Sequence, residues 1–143
     1  MRNLNQHNPL HKTPIQIRFS DLDKLNHVSN SVYQQYFDLG RMAYFDDVFK
    51  ERISWDPEGL IVVSIKLDFY KPILLYDKMV VRTKITKIGN KSLTMYQDLF
   101  NEDTNEVTSA SESIMAAVDY HKAESIPIPQ RWRERISTFE QAD

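Results

Sequence analysis

Residues 20–30 form a polar segment in which several side chains that can do chemistry lie close together in sequence. Asp21 and Asp23 are separated by one residue, and His27 comes four residues after Asp23. Asn30 stands where a helical pattern begins. A carboxylate beside a helix N-terminus can attack a carbonyl carbon or activate a water, while the first N–H groups of the helix stabilise the oxyanion. This arrangement suits acyl transfer or hydrolysis.

Capping and metal binding would use the same residue types. Asp, Ser, Asn and His before a helix often serve only as turn and capping residues. The spacing D-x-D-x-x-x-H, which runs from Asp21 to His27, also offers hard oxygen ligands and an imidazole to a metal ion, although no further cluster of His or carboxylates follows it. From the spacing alone, catalysis, capping and metal binding all remain open.

Hydrophobic periodicity predicts the elements around this loop. Residues 14–19 alternate apolar and polar side chains, which predicts a strand. Residues 31–49 repeat apolar and aromatic side chains at three- and four-residue steps, which predicts a long helix capped by Asn30 or Ser29. Further strands are predicted over residues 60–70, 79–88, 93–100 and 107–120, and a short helix over residues 130–139.

The length and the order of these elements predict one domain. A chain of 143 residues with 41% hydrophobic and 27% charged residues matches a single globular domain, which we expect over residues 13–143, after a flexible N-terminus over residues 1–12. Short turns make the later strands antiparallel neighbours, and one aromatic helix packed on such a sheet is a two-layer α+β domain. A sheet with free edges favours dimerisation through a strand.

Composition excludes several classes of function. The chain has no cysteine, which excludes disulfides, Cys-ligated zinc, iron–sulfur clusters and cysteine nucleophiles. A net charge of −2 predicts no nucleic-acid partner. No segment approaches the ~20 apolar residues that a membrane-spanning helix needs, and the N-terminal residues lack the pattern of a secretory signal, so we expect a cytoplasmic protein without membrane insertion.

Residues 17–45 resemble the opening motif of the hotdog-fold acyl-CoA thioesterases, the family of 4-hydroxybenzoyl-CoA thioesterase and the YbgC-type enzymes. The family pattern is an aromatic residue, D-x-D, H-V-x-N, a Tyr and an aromatic helix with a Gly-Arg step. The matching residues are Phe19, Asp21, Asp23, His27, Val28, Asn30, Tyr33, Tyr36, Phe37, Gly40 and Arg41. The segment FYKP at residues 69–72, Asp77 and the turn at residues 88–93 are similar to later parts of the family pattern.

The resemblance implies a fold and a reaction. The fold would be a hotdog, in which a curled antiparallel five-stranded sheet wraps around one long central helix. The reaction would be hydrolysis of an acyl-CoA thioester to the free acid and coenzyme A, with no cofactor and no metal. Asp23 matches the nucleophile or general base, His27 would position that carboxylate or the leaving thiolate, and the backbone N–H near Asn30 would bind the oxyanion.

The resemblance also suggests supporting roles. It implies that Asp21 organises the loop, with catalysis as the alternative, and that Tyr33 packs between helix and sheet, with a catalytic phenol as the alternative. Arg41 would be an ion-pair partner. Lysines near turns could hold the phosphates of the coenzyme, and Lys91 is our candidate substrate-binding lysine, with Lys71 and Lys87 as further candidates. Leu25 occupies a position that is Asn in plant-type acyl-carrier thioesterases, which argues against copying that mechanism.

Several alternatives remain at this stage. The acyl group could arrive on coenzyme A or on an acyl carrier protein, and the expected assembly is a homodimer or a homotetramer. A non-catalytic module that binds acyl-CoA would share the same pattern. A hydratase or dehydratase of this fold would place its His and carboxylate on the central helix, whereas here these residues precede the helix.

Overall fold

The computed structural model describes residues 8–51 and 57–141, and it confirms the α+β class. A short 3₁₀ turn (Asn30–Val32) leads into the central helix, and a π-helical turn (Phe45–Phe49) continues it. Within the described ranges no helix is long and apolar enough to cross a membrane. The elements are β1 (His11–Ile15), α1 (Tyr33–Tyr44), β2 (Glu58–Phe69), β3 (Met79–Ile88), β4 (Ser92–Asn101), β5 (Glu106–Asp119), β6 (Glu124–Ser125) and α2 (Gln130–Glu140).

The strands form one antiparallel sheet in the order β1-β3-β4-β5-β2, and β6 pairs with the end of β5. In register across the sheet, Leu67 lies opposite Ser111, which in turn lies opposite Gln97. The pairings of β2 with β5, β3 with β4 and β4 with β5 each contain a register shift. Such bulges bend strands and increase their twist, so the sheet curls around α1.

Helix α1 packs against β1, β3 and β4 because its apolar residues repeat at helical spacing. Tyr33, Phe37, Gly40 and Tyr44 form its buried face. At Gly40 the helix comes so close to β3 that a Cβ atom there would lie 2.3 Å from Cγ1 of Val81. The missing side chain at this position therefore sets the distance between helix and sheet.

Two hydrophobic clusters form the core, one toward each end of α1. The first joins the loop before α1 to the sheet, and its buried members are Val28, Tyr33, Tyr36, Phe37, Ile73, Met79, Val81 and Leu99. The second lies under α2 and includes Tyr44, Phe49, Met95, Met115, Trp132 and Ile136. The polar loop therefore rests on one cluster, while α2 seals the other end of the domain.

Glu51 fastens α2 to the end of the helical segment. Its carboxylate accepts hydrogen bonds from Arg131 (2.9 Å), from the indole N–H of Trp132 (2.8 Å) and from Arg135 (2.7 Å). The hydrogen bond from Arg131 is the main reason that the pKa of Glu51 falls from its usual 4.5 to about 2. A charged, multiply bonded carboxylate thus holds α2 over the second cluster.

Strand β2 is a long edge strand with an apolar surface. Its backbone pairs only with β5, and its other edge has no strand beside it within the described residues. Ile61, Val62, Val63 and Ile65 remain 39%, 40%, 57% and 43% exposed. Edge strands of this length and composition invite pairing with another chain.

The elements match the predicted bounds closely, except at the N-terminus. Strand β3 spans the predicted residues, and the bounds of β2, β4, β5 and α2 differ from the prediction by two residues at most. The prediction of a first strand over residues 14–19 was wrong: the strand is His11–Ile15, because its ladder ends where Ile15 lies opposite Met79, the first residue of β3. Strand β6 was not predicted.

The expected flexible N-terminus of residues 1–12 overlaps this strand. His11 and Lys12 belong to β1, and His11 is buried with its ring against Tyr44. Residues 1–7 lie outside the described part of the chain.

Replacing Gly40 by Ala tests the contact between α1 and β3. We expect the substitution to lower the free energy of unfolding, because the overpacking cost of about 1–3 kcal/mol exceeds the roughly 1 kcal/mol that Ala gains over Gly in helix propensity. Urea unfolding followed by circular dichroism measures the change. Gly89→Ala is the matched control, since its Cβ would meet only the Ser92 backbone oxygen at 3.3 Å and the Ser92 hydroxyl at 3.4 Å. Equal stability of Gly40→Ala and wild type would contradict the close approach.

Candidate functional site

Asp21 anchors the polar loop to the central helix. Its Oδ2 accepts hydrogen bonds from the hydroxyl of Tyr36 (2.6 Å) and the backbone N–H of Arg18 (2.9 Å), and its Oδ1 accepts from Nε (3.2 Å) and Nη2 (3.0 Å) of Arg18. The side chain is only 2% exposed. Because Tyr36 belongs to α1, Asp21 takes the organising position in the loop that the resemblance implied.

The surroundings of Asp21 shift two pKa values in opposite directions. Burial by itself raises the pKa of Asp21, but the hydrogen bonds from Tyr36 and Arg18 together outweigh burial and hold that pKa below its usual 3.8. Burial, followed by the hydrogen bond to Asp21, raises the pKa of Tyr36. At neutral pH the contact therefore joins an ionised carboxylate to a neutral phenol.

Asp23 forms a tight turn of its own and remains exposed. Its backbone N–H donates to the carbonyl of His27 (2.9 Å), and its carbonyl accepts from Asn26 (3.0 Å), which has a φ of 60°. Its Oδ1 accepts from the backbone N–H of Leu25 (2.9 Å) and of His27 (3.4 Å). These contacts orient the carboxylate, and within the described residues nothing donates to Oδ2.

Asp23 lines a groove of about 320 Å³. The loop that holds Asp23 is tied to the chain after β2 by a hydrogen bond from Val28 N–H to the Ile73 carbonyl (2.9 Å). Two segments distant in sequence therefore form the walls of one groove. Its lining residues are Asp23, Leu25, His27, Val28, Asn30, Tyr33, Phe69, Tyr70, Lys71 and Pro72. Three of the four residues that we selected from the sequence, Asp23, His27 and Asn30, thus lie together.

The fourth, Lys91, does not line the groove of its own chain. It lies in the turn between β3 and β4, at the end of the sheet away from Phe69, and its carbonyl accepts from Ala117 N–H (2.9 Å). Lys71 lines the groove instead and forms an ion pair with Glu106. Sequence reasoning did not select Phe69, Tyr70 or Pro72 for the site, because only the contact between the two loops brings them there.

The helical segment begins at the groove, which Asn30 and Tyr33 both line. The 3₁₀ turn Asn30–Val32 starts after Ser29, whose carbonyl accepts from Val32 N–H (2.9 Å). The predicted side-chain cap is not formed, because the Ser29 hydroxyl pairs with the Ser31 hydroxyl (3.0 Å). The first N–H groups of a helix lack partners within it, so the Asn30 end of the segment presents donors and partial positive charge beside Asp23.

Two further residues of the helix have the positions that the resemblance implied. Nη1 of Arg41 donates to Oδ1 of Asp38 (2.7 Å), which makes Arg41 an ion-pair partner. Tyr33 packs edge-on against Phe69, with ring centroids 4.9 Å apart, and also lines the groove.

The metal alternative meets a chemical obstacle at Asp21. Both of its oxygens already accept hydrogen bonds from Tyr36 and Arg18, so the first donor of the D-x-D-x-x-x-H spacing is occupied. In the described ranges, 8–51 and 57–141, no group of three or more His, Asp or Glu side chains has a geometry that could hold a metal ion.

Asp21→Asn should destabilise the protein, whereas Asp23→Asn should leave its stability nearly unchanged. The first substitution puts an amide where a buried carboxylate accepts charge-assisted bonds, at a cost of about 1–3 kcal/mol at pH 7. Because the pKa of Asp21 is lowered by folding, its stabilising contribution is present above the usual pKa and is lost as the pH falls through the folded-state value. Thermal unfolding at pH 7 and at acid pH checks both points. A similar loss of stability in both variants would contradict the anchoring role.

Two curated sequence relatives of this chain are named as thioesterases. A family model described as the Thioesterase-like superfamily matches residues 17–136. The chain is 24% identical over 137 residues to the acyl-acyl carrier protein thioesterase ATL3 of Arabidopsis thaliana, covering 93% of this chain and 70% of the relative. It is 20% identical over 128 residues to the long-chain acyl-CoA thioesterase FadM of Escherichia coli, covering 87% and 96%.

Solved structures share the fold. A thioesterase of Thermus thermophilus, in complex with coenzyme A and Zn, has a TM-score of 0.79 at 27% identity, with 92% of this chain and 95% of that chain covered. The PA5185 protein of Pseudomonas aeruginosa has a TM-score of 0.83 at 25% identity, with 92% of each chain covered. The architecture is therefore the expected hotdog fold, and the chain belongs to the Thioesterase-like superfamily.

Proposed function

We propose that this protein hydrolyses acyl-CoA thioesters, and that Asp23 carries the reaction. The observation that supports this most directly is the exposed carboxylate of Asp23 in one groove with the start of the helical segment at Asn30. Thioester hydrolysis needs a nucleophile or base on the carbonyl carbon and donors on the carbonyl oxygen. Both are within this groove, and superfamily membership supports the same chemistry.

Asp23 can act by either of two routes. As a nucleophile, its free oxygen attacks the acyl carbon, the thiolate of coenzyme A leaves, and water then hydrolyses the mixed anhydride. As a general base, the carboxylate accepts a proton from a water that attacks the same carbon. In both routes Oδ1 is held by the N–H groups of Leu25 and His27, which leaves Oδ2 for chemistry.

The start of the helical segment receives the negative charge that develops on the carbonyl oxygen. Asn30 is the first residue of the 3₁₀ turn that leads into α1, and at such a start the backbone donors and the helix dipole act together. Removing one such donor from an enzyme commonly slows the reaction by about 10²–10³-fold. His27 lines the same groove, next to the turn of Asp23, and would orient the carboxylate or the leaving sulfur.

Coenzyme A is the carrier we favour. The sequence left two carriers of the acyl group open, and one relative is named for each. FadM is named for long-chain acyl-CoA, and ATL3 is named for acyl-acyl carrier protein. The Thermus thermophilus neighbour, which matches over nearly its whole length, holds coenzyme A. Lys71 at the groove offers a cation to the phosphates of the coenzyme.

The site is best completed by a second copy of the chain that pairs through β2. The groove ends on Phe69, Tyr70 and Lys71, which lie at and directly after the end of the free edge strand. In a two-fold antiparallel pair, the start of one β2 lies beside the end of the other. The turn that carries Lys91 in one protomer would then lie at the same end of the joined sheet as the Asp23 groove of the other protomer. Lys91 could in this way contact the substrate, as the sequence predicted.

Asp23→Asn should abolish hydrolysis while the protein stays folded. We expect kcat for thiol release from acyl-CoA to fall by at least about 10²-fold, since an amide is neither an anionic nucleophile nor a useful base. A panel of acyl-CoAs with short, long and aromatic acyl groups, followed with a thiol reagent, measures the rate. Asp46→Asn, an exposed substitution on the π-helical turn, is the matched control. Wild-type-like turnover in Asp23→Asn would refute the assignment.

Val63→Lys should convert a dimer into a monomer. Val63 is 57% exposed on the free edge strand, and a charge there opposes strand pairing. Light scattering coupled to gel filtration gives the mass. Leu39→Lys is the control, because Leu39 is 56% exposed on α1 and its substitution should leave the dimer intact. A wild type that is monomeric at micromolar concentration, or a dimer disrupted only by Leu39→Lys, would exclude pairing through β2.

A further inference from the structure

Tyr33 has a position that its expected packing role does not require. It is the first residue of α1, so it follows the 3₁₀ turn that presents the helix donors to the groove. It is one of the residues that line that groove together with Asp23. A residue needed only for packing between helix and sheet would not have to line the same groove as Asp23.

The ring of Tyr33 is held in one orientation. Only 2% of the residue is exposed, and its ring packs edge-on against Phe69 at 4.9 Å between centroids, with an interplanar angle of 79°. Phe69 ends β2 and lines the same groove. A phenol fixed in this way loses little further freedom when it meets a substrate, which is the condition for a preorganised donor.

The hydroxyl of Tyr33 has its own proton to donate, and the backbone N–H of Ile73 lies near it. Within the described residues, no carbonyl or carboxylate oxygen accepts a hydrogen bond from that hydroxyl. Burial, and then the nearby charge of Asp23, raise the pKa of Tyr33, so the phenol stays protonated at neutral pH.

We infer that the hydroxyl of Tyr33 is a second oxyanion donor, which binds the thioester carbonyl oxygen beside the N–H of Asn30. The inference rests on the proposed hydrolysis at Asp23 and assigns a catalytic residue to it. No proton is transferred: the hydroxyl donates a hydrogen bond that shortens as the carbonyl oxygen gains charge, and the thiolate leaves with the electron pair of the C–S bond.

The test is Tyr33→Phe, which removes one oxygen and keeps the ring against Phe69. We expect kcat for the acyl-CoA substrate to fall by about 10–100-fold, with KM and the affinity for a non-hydrolysable thioether analogue within about twofold of wild type. Tyr96→Phe is the matched control. It removes a hydroxyl that donates to Asp98 (2.9 Å) on the face of the sheet away from α1, and its kcat should equal that of wild type.

A spectroscopic measurement separates hydrogen bonding from folding. Substrate bound to Asp23→Asn should show its carbonyl stretch at lower wavenumber than substrate bound to the double variant Asp23→Asn with Tyr33→Phe. A packing role would leave this vibration unchanged.

The outcomes distinguish the inference from the function on which it rests. If wild type turns over, Asp23→Asn does not, and Tyr33→Phe has the wild-type kcat, the inference is wrong and the proposed function stands. If Tyr33→Phe loses affinity for the analogue but not kcat, its role is packing. If wild type releases no thiol from any acyl-CoA, both fail.

Discussion

The buried hydrogen bond between Asp21 and Tyr36 is the constraint on which the site depends. It ties the polar segment to α1, alongside the hydrogen bond from Val28 to Ile73 and the packing of Val28 in the first cluster. From Asp21 the backbone turns at Asp23 and comes back to Asp21 at Ser29. The N–H of Ser29 donates to the carbonyl of Asp21 (2.8 Å). An ionised side chain that water barely reaches is therefore the polar contact that joins the loop to the helix.

The same contact explains how two aspartates separated by one residue come to have different properties. Asp21 is enclosed by donors, and its charge is fully used within the fold. Among the described residues, Asp23 has only Oδ1 engaged in hydrogen bonds, and it lines the groove. Environment separates the pair into one group that holds structure and one that is available for chemistry, a division that recurs wherever an enzyme uses neighbouring carboxylates for different tasks.

Local sequence patterns predicted most helices and strands. The features that they did not predict depend on contacts between residues distant in sequence. Strand β3 and helix α2 begin at the predicted residues because apolar periodicity and the Pro before α2 act locally. The position of β1 could not be predicted, since its limits are set by pairing with β3. For the same reason the motif placed Asp23, His27 and Asn30 together but could not show that Phe69 and Lys71 face them, or that Lys91 lies at the opposite end.

The free edge of β2 has a consequence for the newly made chain. If protomers pair through β2 as proposed, the strand before pairing exposes an edge with no partner among the described residues, flanked by Ile61, Val63 and Ile65, a combination that also templates disordered association. Encounter of two folded protomers would then compete with misassembly, and the balance would shift with temperature and with the rate of synthesis. Quaternary assembly would in this way protect the protein against precipitation as well as shaping its groove.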